Sequence, residues 1–150
     1  MLRDKLSADM KDAMRAGEKA KLGTIRLMNS AIKSADIDAR PSGKDAISDA
    51  EILQVFAKMV KQRRDSVEQF TAGGRPELAA AEQAEIAVIE SYMPKAMSEP
   101  EVKAAASTLI AELGATGVKD MGKVMAAMKE KYAGQIDFGK ASALVKGLLG

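Results

Sequence analysis

Five lysines in the C-terminal third, Lys119, Lys123, Lys129, Lys131 and Lys140, have the type and spacing best suited to one chemistry, the holding of phosphate. A lysine ammonium is a compact point charge with three donors, and contact with phosphate fixes position without reading base sequence. Between Gly114 and Lys146, six lysines oppose Asp120, Glu130 and Asp137, an excess of three positive charges. Such an excess fits a nucleic-acid surface whose binding falls with added salt. It fits equally well a passive helical bundle with lysine on its solvent face. Aromatic residues make up only 3% of the chain, which argues against base stacking on single strands.

Other chemistries lack their parts. The chain has no His and no Cys, so the usual proton shuttle, thiolate nucleophiles and cysteine metal sites are absent. Ser66, Ser91 and Ser142 have no His or patterned Lys to activate them. Thr71-Ala72-Gly73-Gly74-Arg75 lacks the Lys-Ser/Thr ending of a phosphate loop. Asp36 with Asp38, and Asp45 with Asp49, flank the polar segment around Pro41, and their spacing promises too few converging oxygens for Mg²⁺. No catalytic residue, metal or cofactor is expected.

The densest charge run is Lys61-Gln62-Arg63-Arg64-Asp65-Ser66-Val67-Glu68, in which Lys61 with Asp65 and Arg64 with Glu68 have i,i+4 spacing. Arg63 differs from its neighbours, because it interrupts the apolar stripe that runs from Phe56 to Val67 and Phe70. A charge in that position must be paired or must snorkel to water. The expected partner is an acid on the following helix, Glu85 in preference to Glu82, forming a structural ion pair.

The elements that position these residues are all helical. Leu2, Leu6, Met10 and Met14 predict a first helix that ends near Gly17. Leu22, Ile25, Met28, Ile32 and Ala35 mark a second over 21–39, followed by the polar loop 40–45. Ser48 with Glu51 has capping-box spacing and opens a long third helix ending at Gly73-Gly74. Pro76 suits the first turn of a fourth, with Leu78, Ala81, Ile86, Ile89 and Tyr92 on one side. Pro94 forces the chain out of helix at Met93, and Ser98 with Glu101 restarts it. Three short helices follow, broken at Gly114, Gly117 and Gly134, with Asp120 and Asp137 placed to cap the last two. The reading is an all-α protein of about seven helices, with a larger N-terminal helical domain, 1–97, and a C-terminal three-helix domain, 98–150.

Composition agrees with that class. Hydrophobic residues make up 47% of the 150, and net charge is +2 from 23 basic and 21 acidic residues. No apolar run approaches the roughly 20 residues needed to span a bilayer. The mixed charges of Met1–Lys5 do not read as a secretory leader. A cytoplasmic protein without membrane attachment is therefore expected. The ten methionines read first as core filling. Exposure of Met121, Met125 and Met128 as one patch would instead mark a helical protein-interaction module.

Thr24-Ile25-Arg26-Leu27, the run from Lys61 to Phe70, Glu85-Ile86-Ala87-Val88-Ile89-Glu90-Ser91-Tyr92-Met93-Pro94 and Asp120-Met121-Gly122-Lys123-Val124-Met125 carry a family resemblance. In that order, and over nearly the full length, the chain resembles the YqeY proteins. Residues 98–150 are similar to the tail domain of the B subunit of glutamine-dependent tRNA amidotransferase, the GatB/YqeY family. The resemblance implies an all-helical fold and a tRNA-binding accessory role beside a tRNA amidotransferase or another complex. It covers neither the B subunit's metal-bearing cradle nor the glutaminase subunit. A carbon–nitrogen ligase activity with glutamine as amide donor would therefore come from the family label alone.

Overall fold

The computed structural model describes residues 1–150 and contains seven α-helices and no strand. Helices α1 (Leu2–Ala16), α2 (Lys19–Ala39), α3 (Asp49–Ala72) and α4 (Pro76–Glu90) precede α5 (Glu99–Leu113), α6 (Met121–Lys131) and α7 (Phe138–Leu149). The chain divides into two compact units, Met1–Met93 and Pro94–Gly150. The division lies a little ahead of position 98. Residues 94–97 join the second unit, where the Met97 N–H donates to the Gln135 carbonyl at 2.9 Å.

The first unit closes around Leu6, Ile25, Met28, Ile32, Ile52, Phe56, Ile86 and Ile89, and α3 and α4 form its most extensive helix pair. The α3 start is a full capping box: Ser48 Oγ accepts from the Glu51 N–H, and Glu51 Oε1 accepts from the Ser48 N–H. Gly17, at φ 71°, ends α1 in the left-handed conformation that a side chain would strain.

Three expected core positions lie outside the core. Met14 is 55% exposed, and Ala13 is buried in its place. A four-residue repeat drifts about 40° per step on a helix, so Met14 sits about 80° around from Leu6 and Ala13 only about 20°. In α4, Leu78 and Ala81 face outward and Ala79 is buried.

In the second unit, Val102, Ala106 and Leu109 of α5 meet Val124 and Met128 of α6 and Ala141 and Val145 of α7. Each helix packs against both of the others. Ser98 caps α5 by accepting from the Glu101 N–H, and Asp137 caps α7 by accepting from the Gly139 N–H at 2.9 Å. Asp120 does not cap α6. A 3-10 turn, Val118–Asp120, runs directly into that helix, and the Asp120 carboxylate turns back to accept from the Thr116 N–H at 3.0 Å.

Candidate nucleic-acid interface

Lys119, Lys123, Lys129, Lys131 and Lys140 are all exposed. Lys119 sits in the 3-10 turn before α6, Lys123 in the first turn of α6, Lys129 and Lys131 in its last turn, and Lys140 in the first turn of α7. None forms an ion pair, and every ion pair of the protein lies in the first unit. The ammonium of Lys131 instead lies 5.8 Å from the centre of the Tyr132 ring.

The lysines do not converge on a single point. At about 100° per residue, Lys129 and Lys131 project roughly 160° apart around α6, on either side of its buried face. Lys123 projects almost opposite that face. Lys119 and Lys123 are the closest in character, because both lend positive potential to Asp120. The Thr116 N–H, followed by Lys123 and Lys119, holds the Asp120 carboxyl below its ordinary value of 3.8. Asp120 therefore stays anionic and offsets part of that local charge. Gly122, between them, has open space where a Cβ would stand, so the first turn of α6 presents bare backbone to solvent.

The three methionines of α6 pack toward the interior. Met128 is fully buried, and Met121 and Met125 are half-buried against the same core. They form no exposed apolar patch, which removes the observation that a methionine docking surface required.

In the first unit, Arg63 meets Glu85, its Nε donating to Oε2 at 2.8 Å while Nη1 donates to the Met59 carbonyl at 3.2 Å. Arg64 passes over Glu68 and reaches Glu90 at 3.0 Å, and Lys61 has no acidic partner. The i,i+4 pairs read from spacing give way here, because α4 runs beside α3 and offers Arg64 an acid across the helix pair.

Two contacts had no local signal in the sequence. Arg3 grips Asp36 through both guanidinium ends, at 2.9 and 2.7 Å, and Asp36 also accepts from the Ile47 N–H. These bonds hold the Asp36 carboxyl below its ordinary value. The Tyr92 hydroxyl donates to Asp9 beneath the Lys5 ammonium, and burial, followed by Asp9, raises that hydroxyl above its ordinary 10.0. Partners 33 and 83 residues apart leave no periodic trace.

A shallow depression between the start of α2 and α4, floored by Ala81, Ala84 and Val88 with Lys21 and Glu85 at its rim, holds about 540 Å³. Thr24 reaches it, but its hydroxyl is spent on the Ala20 carbonyl within α2. No three acidic side chains are grouped to hold a metal ion, and no buried side-chain polar atom lacks a partner.

Helical units of four and three helices, with unpaired lysines on the smaller, define a small all-α protein. The chain belongs to the family described as Yqey-like protein, whose model matches residues 3–149. It is similar to altered inheritance of mitochondria protein 41, mitochondrial, of three fungi. Identity is 36% over 110 residues for Lachancea thermotolerans, covering 72% of this chain and 57% of the relative. For Eremothecium gossypii it is 34% over 148 residues, covering 96% and 78%. For Saccharomyces cerevisiae it is 38% over 88 residues, covering 59% and 46%. The chain thus spans from about half to four-fifths of the length of these curated relatives. The relatives' name places them in mitochondria, and no helix of this chain is long and apolar enough to cross a membrane.

Proposed function

We propose that the chain is a non-catalytic tRNA-binding accessory protein that works beside a tRNA amidotransferase or a related complex in the cytoplasm. The observation that carries this reading is the state of charge in the second unit. Residues 1–93 contain fifteen basic and fifteen acidic side chains, whereas residues 94–150 contain eight and six. The entire net charge therefore lies in the second unit, and its exposed lysines are neutralised by no ion pair. Unpaired ammonium groups on exposed helical positions suit contact with backbone phosphates. Binding of this kind recognises the shape and charge of RNA and leaves base identity to other components.

The test is fluorescence anisotropy of labelled tRNA with the full chain across a salt series. Changing Lys119, Lys123 and Lys140 together to Ala removes up to three phosphate contacts and should flatten the slope of log K against log salt by about 2. Unchanged affinity and slope in that variant would reject the lysine surface. A pull-down at low salt, with and without ribonuclease, separates bound RNA from bound protein. An amidotransferase subunit retained after ribonuclease treatment would support the second half of the reading.

A further inference from the structure

The first unit is neutral in total, yet α2 carries its charge unevenly. Lys19, Arg26 and Lys33 recur every seven residues, are all exposed, and take part in no ion pair or side-chain hydrogen bond. A seven-residue step turns about 700°, which leaves the three within about 40° of one another along one stripe. The step rises about 10.5 Å, so the stripe is about 21 Å long. Gly23 and Ser30 lie between the cations on the same exposed line. No acid interrupts it: Glu18 stands about 100° around the helix from Lys19 and Asp38 about 140° from Lys33, and Asp36 is held by Arg3.

Gly23 gives an independent indication. It sits inside a 21-residue helix, its backbone is not left-handed, and a Cβ built there meets nothing within 4 Å. Neither a turn nor packing within the chain requires a glycine, and in a helix interior glycine is unfavourable. A partner that approaches the backbone closely does favour it.

We propose that this stripe on α2 is a contact surface for the sugar–phosphate backbone of structured RNA, with Lys19, Arg26 and Lys33 on phosphates and Gly23 letting the strand lie close to the helix. The proposal rests on the reading that the chain binds RNA and adds a surface on the other unit. Three cations without an anion complement a polyanion, and a helix face without aromatic residues suits a stem better than unstacked bases.

The test compares full-length proteins by anisotropy of labelled tRNA from low to high salt: wild type, Lys19→Gln/Arg26→Gln/Lys33→Gln, Lys119→Ala/Lys123→Ala/Lys140→Ala, Gly23→Gln, and a Lys11→Gln/Lys58→Gln/Lys103→Gln control of equal charge change. The α2 triple variant is expected to lose about 2–3 from the salt slope and on the order of 100-fold in affinity near 0.1 M salt. Gly23→Gln should weaken binding without altering the slope while melting no lower than wild type. The control should retain more affinity than the α2 variant. If the α2 variant binds like the control while the lysine variant of the second unit fails, the stripe is wrong and the tail reading stands. If the α2 variant fails alone, the stripe stands and the tail lysines do not. Absence of tRNA binding by the wild type overturns both.

Discussion

Glu85→Ala is the sharpest probe of how the first unit is held. Arg63 keeps only 15% of its side chain exposed and Glu85 keeps 33%, so the pair is largely but not wholly removed from water. Truncating Glu85 removes the charge-assisted bond to Arg63 Nε and leaves the guanidinium with the Met59 carbonyl alone. Breaking a fully buried pair costs about 3–5 kcal/mol, and the residual exposure here lets water recover part of that, giving about 2–3 kcal/mol. Glu85→Gln keeps an acceptor and should cost about 1 kcal/mol. Arg63→Met with Glu85→Leu should recover most of the loss, because an apolar pair needs no compensation for a stranded charge. The assay is urea unfolding followed by tyrosine fluorescence. Each unit contains one tyrosine, Tyr92 in the first and Tyr132 in the second, so a Tyr132→Phe background isolates the first unit's transition. A Glu85→Ala loss below 0.5 kcal/mol, or a double variant weaker than both singles, would refute the reasoning.

Two further outcomes test the remaining joints. The folded value of the Asp36 carboxyl lies below its ordinary 3.8, so its contribution to stability is complete above that value and disappears as pH falls through the lowered one. Stability of the first unit should therefore decline on acidification below about pH 4, less steeply in Asp36→Asn, as read by urea midpoints in a pH series. Ser48→Ala should cost about 1 kcal/mol in the transition reported by Tyr92, and Ser98→Ala a similar amount in the one reported by Tyr132.

Helix boundaries were legible wherever the signal is local. Ser48 and Glu51 close on each other three residues apart, and Gly17 and Gly114 take left-handed conformations at helix ends. Arg63 stood out because a charge inside an apolar stripe requires a partner. Legibility ends where a choice depends on the neighbouring helix. Arg64 has acids available at Glu68 and Glu90, and only the packing of α3 on α4 decides between them. Asp120 looks like a cap until the 3-10 turn ahead of α6 changes which N–H it faces. The Arg3–Asp36–Ile47 clamp was invisible for the same reason, since it joins three segments that only tertiary structure brings together. In the candidate interface, lysine exposure could be read from periodicity. The wide spread of Lys129 and Lys131 around α6 follows from the same 3.6-residue period, yet a simple charge count conceals it.

The two units use their cations differently, and salt separates the uses. In the first unit, Arg3 and Arg63 are committed to carboxylates at 2.7–2.9 Å with restricted exposure, where screening by added ions is weak. In the second unit no cation is paired with a carboxylate, and along the α2 stripe Lys19, Arg26 and Lys33 also stand unpaired. Raising salt from about 0.05 to 0.5 M shrinks the screening length from about 14 to about 4 Å, removing long-range attraction to a polyanion while leaving a half-desolvated contact pair nearly intact. Stability that survives this change while RNA affinity collapses would assign the free lysines to binding and the paired arginines to architecture. Stability that falls in step with affinity would mean that the surface charges hold the fold, and the division of labour drawn from pairing alone would fail.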